Sequence, residues 1–216
     1  MGNFSELTAW IQKHNSIKGI YNDFYSPRRV YSNREKLHAY LSEQNGLGHK
    51  EIQYYEFGVA SGKSFRWWLG ENKNPNSTFW GFDTFEGLPE DWHFYPKGAM
   101  SHQIPEINDT RASFIKGLFQ NTFFEFLKTY PPKQGVTKVL HMDADLYSST
   151  LFILTAFAPL LNEGDIIMFD EFNVPNHEFA AWNDFVRSYY VQYELIGAVN
   201  NYYQTAFKFK GIKASL

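Results

Sequence analysis

Apolar residues along this chain fall into short continuous runs that alternate with amphipathic segments. The continuous runs have the length of β-strands that are buried on both faces of a sheet. The segments between them place apolar residues three or four positions apart, which is typical of helices with one buried face. The pattern predicts strands over 52–59, 77–83, 112–119, 137–146 and 165–172, and helices over 63–72, 121–130, 151–161 and 177–190.

This alternation predicts an α/β fold with a doubly wound, mostly parallel sheet of seven strands and helices on both faces. The runs 193–199 and 203–210 flank an Asn-Asn pair and predict a C-terminal antiparallel hairpin. Residues 1–45 are polar and aromatic with weak helical periodicity. We therefore expect a single domain, 1–216, in which 1–45 form a helical cap on a core of residues 46–216. Ser148 and Ser149 are expected to cap the helix over 151–161.

Composition narrows the class of protein. The 216-residue chain is 44% apolar and 19% aromatic, which is too rich in packing side chains for a disordered protein. A net charge of −3 with scattered basic residues argues against nucleic-acid binding. The absence of cysteine excludes disulfides and a thiol nucleophile. No apolar run is long enough to span a membrane, and the first residues lack the apolar core of a secretion signal, so a cytoplasmic protein is expected.

The segment EFGVASGKS, residues 56–64, ends in the Gly-Lys-Ser of phosphate-binding loops. Such a loop needs four residues between its glycines, so that successive N–H groups surround a phosphate. Here only three residues separate Gly58 from Gly62. The spacing favours a turn between a strand and a helix that lets the backbone approach a nucleoside, with no triphosphate to hold.

Asp83 ends the second predicted strand of the core, 27 residues after Glu56. An acid at this position of a doubly wound fold accepts hydrogen bonds from ribose hydroxyls. The alternative is that Asp83 only caps the turn of the following segment TFEGLP. The sequence favours the ribose contact and leaves the turn as the competing interpretation.

Two pairs of acidic residues follow two further strands. Asp143 and Asp145 come at the end of one, and Asp170 and Glu171 at the end of the next. Carboxylates that meet at one edge of a sheet repel each other unless a cation neutralises them. Oxygen ligands favour Mg²⁺, Mn²⁺ or Ca²⁺. A single acid would be attributed to helix capping or to a turn, but both pairs together favour a metal site.

Three further residues near these pairs have ordinary interpretations. His141 lies inside an apolar strand and is expected to be a hydrogen-bonded core residue. His177 and Glu178 either reach the metal-binding edge or belong to a helix N-terminus, where a glutamate is favoured by the helix dipole.

Together these motifs resemble the class I S-adenosylmethionine-dependent methyltransferases, and among them the macrocin O-methyltransferase family. The similarity runs from about residue 50 to 210 and includes GFDTFEGLPEDW, LHMDADLYSST and GDIIMFDEFN. It implies a methyl donor at Glu56, Gly58 and Asp83. It also implies a divalent metal at Asp143, Asp170 and Glu171, with Asp145 as general base. Further donor contacts implied by the resemblance are Ala60, Ser61, Gly62, Ser64, Thr84, Gly117, Leu118, Phe119 and Asp143 itself.

The chain departs from the family pattern at three places. Ala60 stands where the glycine-rich turn usually has its middle glycine. Asp170-Glu171 replaces a frequent Asp-Asp pair, and the longer glutamate reaches one methylene further. The third strand of the core ends in KGLFQNT, without the acid that many methyltransferases direct at the adenine amino group.

The expected function is S-adenosylmethionine-dependent, Mg²⁺-assisted transfer of a methyl group to the hydroxyl of a small molecule, such as a sugar. Either a monomer or a homodimer is compatible with the sequence. One alternative is a non-catalytic nucleoside-binding scaffold, which would have no need of the acidic pairs. Another is an NAD-dependent oxidoreductase. The dinucleotide-binding motif of such enzymes has a middle glycine that is missing here, which argues against this alternative. Trp92, Phe94, Tyr95 and Trp182 either surround the acceptor or belong to the core.

Overall fold

A computed structural model of the protein describes residues 2–92 and 94–213. The helices are α1 (Asn3–His14), α2 (Asn33–Asn45), α3 (Lys63–Glu71), α4 (Phe119–Thr129), α5 (Tyr147–Phe157) and α6 (Glu178–Tyr189). The strands are β1 (Tyr21–Asn22), β2 (Ile52–Phe57), β3 (Thr78–Asp83), β4 (Ala112–Lys116), β5 (Thr137–Met142), β6 (Ile166–Phe169), β7 (Val191–Val199) and β8 (Gln204–Ile212). A short 3₁₀ helix, Ala158–Leu160, continues α5.

The strands form one sheet in the order β1-β7-β8-β6-β5-β2-β3-β4. Only β8 runs antiparallel to its neighbours, β6 and β7. The chain first builds outward from β2 to β3 and β4 and then returns to place β5 on the other side of β2. The strand order therefore reverses between β2 and β5, which is where doubly wound sheets bind their ligands.

Helices cover both faces of the sheet because its central strands are apolar on both sides. Phe123, Phe157 and Trp182 from α4, α5 and α6 pack on one face with the side chain of Leu7 from α1. On the other face, α2 and α3 contribute buried residues such as Leu41, Phe65 and Trp68. Alternate residues of β2 serve the two layers, since Tyr54 and Tyr55 belong to different ones.

The predicted fold class is confirmed, with one additional strand. The two-residue strand β1 pairs in parallel with β7 and extends the sheet from seven strands to eight. It lies between α1 and α2, in the part of the chain predicted to be a helical cap. Because β1 is so short and has no alternating pattern, the sequence gives no signal for it.

The predicted caps of α5 are wrong. Helix α5 begins at Tyr147 after Leu146, so the two serines lie inside its first turn. The hydroxyl of Ser148 instead donates a hydrogen bond to the Glu90 carboxylate, 3.1 Å away. The C-terminal hairpin is confirmed, and its turn contains Asn200, Asn201 and Tyr202, each with a positive φ.

Candidate active site

The backbones of β2 and β5 meet closely where both strands end. The N–H of Asp143, just after β5, donates to the carbonyl of Phe57 at the end of β2. On the other side of β2, the N–H of Gly58 donates to the carbonyl of Phe82 in β3. Gly58 has φ +90°, and a Cβ atom there would lie 1.7 Å from the carbonyl oxygen of Asp143. Gly58 is thus required by the adjacent strand end. A larger side chain would displace Asp143 before it met any nucleoside.

Asp83 ties the glycine-rich turn to the end of β3. One of its carboxylate oxygens accepts hydrogen bonds from the N–H groups of Val59 and Ala60, at 2.7 and 2.9 Å. The other accepts from the N–H of Phe85 at 2.7 Å. The turn-forming role is therefore present in the structure, and ribose binding by Asp83 stays a prediction. Ala60 adopts φ +47°, a left-handed conformation that costs an L-residue free energy which the usual glycine would avoid.

A single cavity of about 620 Å³ connects this turn to the acidic residues. It lies at the switch point between β2 and β5, and the residues predicted for the donor and for the metal line the same space. Gly62 and Gly117 lie outside the lining; Gly117 instead donates its N–H to the carbonyl of Asp83. The predicted residues that line the cavity are Glu56, Gly58, Ala60, Ser61, Ser64, Asp83, Thr84, Leu118, Phe119, Asp143, Asp145, Asp170 and Glu171.

The four carboxylates come together in two overlapping groups. Asp143, Asp145 and Glu171 each bring a ligand atom within 4.8 Å of the others. His141, Asp143 and Asp170 form the second such group. The predicted trio is divided between them, since Asp170 belongs to one group and Glu171 to the other. Asp143 is common to both.

Burial, together with the charges of neighbouring carboxylates, raises the pKa values of Asp143, Asp145 and Glu171. Burial, together with the charges of Asp170 and Asp83, raises the pKa of Asp145 to about 7. Burial and the neighbouring carboxylates also raise the pKa of Asp143 and of Glu171 well above the usual range. Asp145 has φ +59°, so the candidate base is held in a conformation that non-glycine residues seldom adopt.

Arg34, which the sequence analysis did not single out, reaches this cluster from α2. Its guanidinium lies 2.8 Å from Asp170 Oδ2 and 3.6 Å from Asp143 Oδ2, and only 7% of the residue is exposed. Burial disfavours the charged form of the guanidinium. The negative charges of Asp170 and Asp143 favour that form more strongly, so the pKa of Arg34 is raised. A cation supplied by the chain itself thus neutralises part of the cluster.

Two carboxylate oxygens of this cluster have no hydrogen-bond partner in the described part of the chain. Asp170 Oδ1 and Glu171 Oε2 are buried and have no hydrogen-bond partner within residues 2–92 and 94–213. The other Glu171 oxygen accepts from the Tyr203 hydroxyl at 3.2 Å, and the Glu171 N–H donates to Glu178 at 3.0 Å. Glu178 is therefore a support for Glu171 at the start of α6. Buried, unpaired carboxylate oxygens beside further carboxylates fit a divalent cation.

A buried hydrogen-bonded group lies beneath the cluster on the α2 side of the sheet. The hydroxyl of Tyr54 contacts both the Glu56 carboxylate and Nδ1 of His141, the latter at 2.9 Å. The His141 ring meets that of His38 edge-on, with centroids 5.4 Å apart. Burial lowers the pKa of His38, helped by the charges of His141 and Arg34. His141 is hydrogen-bonded inside the core, as predicted, although it also belongs to one carboxylate group.

The four aromatic residues expected either to surround the acceptor or to belong to the core are divided between the cavity and the core. Trp92, Phe94 and Tyr95 line the cavity, with the Trp92 and Tyr95 rings stacked at 5.6 Å. Trp182 is buried in the core and stacks on Phe207. The cavity is also lined by Arg29 and Tyr31, from the segment between β1 and α2, and by Tyr203, from the hairpin. No helix in the described ranges has the length and hydropathy needed to cross a bilayer.

Several solved structures have a similar fold, and two of the three described here are named as methyltransferases. CalS11, a calicheamicin methyltransferase, superposes with a TM-score of 0.59 at 19% identity, over 94% of this chain and 91% of its own. The O-methyltransferase NovP gives 0.58 at 21% identity, over 78% and 75%. A structure described as cmcI-D160 Mg-SAM gives 0.54 at 14% identity, over 86% and 75%. No curated protein sequence matches this chain.

The family assignment itself rests on the sequence of the core. Residues 55–172, more than half of the chain, match the family model described as a methyltransferase domain. The matched part contains the glycine-rich turn, Asp83 and all four clustered carboxylates. The resemblance inferred from the motifs is confirmed, and the chain belongs to the methyltransferase domain family.

Proposed function

We propose that the protein is an S-adenosylmethionine-dependent O-methyltransferase assisted by a divalent cation and acting on a hydroxyl of a small molecule. The observation that carries the proposal is the cavity of about 620 Å³ in which the glycine-rich turn and the acidic cluster face each other. One space thus holds residues suited to a nucleoside donor and residues suited to a metal-bound hydroxyl. Methyl transfer needs both within reach of a single carbon atom.

The donor half of the cavity consists of the glycine-rich turn, Asp83 and the start of α4. Asp83 already orients two N–H groups of the turn, and it lines the cavity. Leu118 and Phe119 offer an apolar surface for a base, with no acid for the adenine amino group. S-adenosylmethionine, when bound, supplies a methyl group on an electrophilic sulfonium, so the protein has only to position the acceptor and activate it.

The acceptor half is formed by the four carboxylates. Asp143, Asp170 and Glu171 would hold the cation, and Asp145 lies beside them. A divalent cation, when bound, supplies the charge that lowers the pKa of an acceptor hydroxyl. Tyr203 and Glu178 fix the Glu171 carboxylate and backbone, so that this ligand is oriented in advance.

Asp145 is the proposed general base. Its carboxylate lines the cavity, and a pKa near 7 matches the proton affinity that an efficient base needs close to neutral pH. In the ionised form it accepts the proton from the acceptor hydroxyl at a carboxylate oxygen. Its strained backbone is consistent with a position that is held for function.

A sugar or another natural-product hydroxyl is the proposed acceptor. In support, CalS11 is described as a TDP-rhamnose 3'-O-methyltransferase in a second structure, which superposes with a TM-score of 0.55 at 22% identity. The aromatic residues Trp92, Phe94 and Tyr95 give the cavity flat surfaces on which a sugar or phenol ring can pack.

Calorimetric titration of the protein with S-adenosylhomocysteine, NAD and ATP-Mg²⁺ tests the donor assignment. Binding of S-adenosylhomocysteine alone is expected. Binding of NAD alone would favour the oxidoreductase, and binding of ATP alone would contradict the assignment of the turn. S-adenosylhomocysteine binding that persists without any methyl transfer to a panel of hydroxyl compounds, with or without Mg²⁺, would favour the non-catalytic scaffold.

A further inference from the structure

Three basic side chains line the cavity, and two of them are paired with carboxylates. Arg34 lies against Asp170, and Lys63 lies 3.1 Å from Glu35. Arg29 is exposed, and no carboxylate in the described part of the chain pairs with it. Its charge therefore plays no part in the ion pairs that stabilise the fold.

The position of Arg29 is nevertheless well defined. Its guanidinium carbon lies 3.3 Å above the centre of the Tyr203 ring. Stacking of this kind uses the flat face of the guanidinium and leaves the N–H donors at its edge directed sideways. A stacked arginine with free in-plane donors is suited to binding phosphate or carboxylate oxygens.

The backbone that carries Arg29 is held on both sides by the hairpin turn. We call residues 23–32 the N-terminal arm. At one end of its central part, the side chain of Asn201 exchanges two hydrogen bonds with the backbone of Ser26, at 3.0 and 2.9 Å. At the other end, Asn200 does the same with Val30, at 2.8 and 3.1 Å. Two amide side chains thus fix the arm where Arg29 meets the cavity.

Tyr203 connects this arginine to the acidic cluster. The hydroxyl of Tyr203 donates to Glu171 at 3.2 Å, while Arg29 stacks on its ring. Arg29 therefore lies about one aromatic ring away from a proposed cation ligand. An acceptor whose hydroxyl faces the cluster has its opposite side near the free guanidinium. Carboxylates repel a bound anion at the cluster, so a negative group is favoured only on the Arg29 side.

From this arrangement we infer that Arg29 selects an anionic acceptor: a hydroxyl-bearing ring with a phosphate or carboxylate on the side away from the reacting hydroxyl. The inference rests on the proposed function and specifies its substrate class. Arg29 binds the anion through its edge donors, and the geometry of Tyr203 sets the distance from anion to hydroxyl. The same contact determines which of several hydroxyls meets the cluster.

Two matched pairs of probes test the inference and distinguish the two kinds of anion. Glucose 1-phosphate is compared with methyl glucoside, and 3,4-dihydroxybenzoate with catechol, by calorimetry in the presence of S-adenosylhomocysteine and Mg²⁺. We expect the anionic member of at least one pair to bind about tenfold more tightly or better, as expected for a charge-assisted hydrogen bond. Arg29→Gln should remove this preference, and Arg29→Lys should retain part of it.

Arg28→Gln is the control, because Arg28 is an exposed neighbour on the same arm that does not line the cavity. It should keep the wild-type preference. The absence of any preference in the wild-type protein, including failure of both anions to bind at 10 mM, would overturn the inference, as would a preference that survives Arg29→Gln. Failure of S-adenosylhomocysteine to bind the wild-type protein would contradict the proposed function as well. Unchanged thermal unfolding of the variants shows that folding is not the cause.

Discussion

The ion pair of Arg34 with Asp170 offers a direct measure of how the acidic cluster is neutralised. Replacing Arg34 by Met keeps most of the side-chain volume and removes the charge. The pair is 2.8 Å long, and the two side chains are 9% and 1% exposed. Its loss leaves a carboxylate buried among other carboxylates without its cation.

Breaking a buried pair in this way costs about 3–5 kcal/mol of the free energy of unfolding. We expect the lower end of this range, because the Asp143 side chain is 27% exposed and water can partly replace the guanidinium there. Arg187→Met is the matched control: Arg187 pairs with Glu6 at 3.3 Å, but its side chain is 61% exposed. An exposed pair of this kind contributes about 0.2–1 kcal/mol.

The response to Mg²⁺ should separate the two variants further. Mg²⁺ at about 100 times its Kd stabilises a folded protein by about 2.7 kcal/mol. Without Arg34 no internal cation competes for Asp170 and Asp143, so Mg²⁺ should bind at least about tenfold more tightly, which adds about 1.4 kcal/mol at the same concentration. Arg187→Met should show the wild-type response.

Urea unfolding in EDTA and in Mg²⁺ measures these differences, and calorimetry with Mn²⁺ gives the affinity directly. Equal stability of Arg34→Met and wild type in EDTA would show that the pair contributes nothing. A smaller Mg²⁺ stabilisation in Arg34→Met than in the wild type would refute the competition. It would mean that Arg34 instead arranges the carboxylates that bind the cation.

The remaining predictions concern the carboxylates that face the cavity. Asp145→Asn should lower turnover by about 10²–10⁴-fold, the usual loss for a general base, with Mn²⁺ and S-adenosylhomocysteine affinities unchanged; Asp143→Asn should instead weaken Mn²⁺ binding and regain activity in excess Mg²⁺. Similar behaviour of the two variants, with full activity in EDTA, would show that the cluster is structural. Because the pKa of Asp145 is about 7, its ionised form increases as the pH rises through 7. Turnover of the wild type should rise over the same interval, and a flat pH profile would remove Asp145 as the base. Asp83→Ala should weaken S-adenosylhomocysteine binding by about 1–3 kcal/mol, since it leaves hydrogen-bond donors unpaired. If donor affinity is unchanged and only the thermal stability falls, Asp83 serves the turn alone.

The sequence revealed those parts of the site that depend on strand ends. Gly58, Asp83, Asp143 and Asp170 each follow an apolar run, and parallel strands bring such ends to one edge of the sheet. The bounds of the helices and strands agree with the prediction to within a few residues at most ends. Glu178 lies at the start of α6, as the interpretation that placed it at a helix N-terminus predicted.

Arg34 and Arg29 could not be found in this way. Arg34 meets a carboxylate 136 positions away along the chain, and helix α2 has almost no amphipathic pattern that would indicate its buried side. Arg29 lies in an arm without regular structure, fixed by asparagines of the distant hairpin. Contacts of this type depend on tertiary packing between distant segments, which the local pattern of apolar and polar residues does not indicate.

The close approach of Gly58 to the carbonyl of Asp143 has a consequence for mutational scanning of this enzyme. Any side chain at position 58 moves the strand end that carries Asp143, so it disturbs the proposed donor and acceptor sites at once. A screen for activity would score position 58 as intolerant, and a screen for abundance would do the same. Agreement between the two screens at position 58, and disagreement at Asp145, would separate residues that build the site from residues that perform the chemistry.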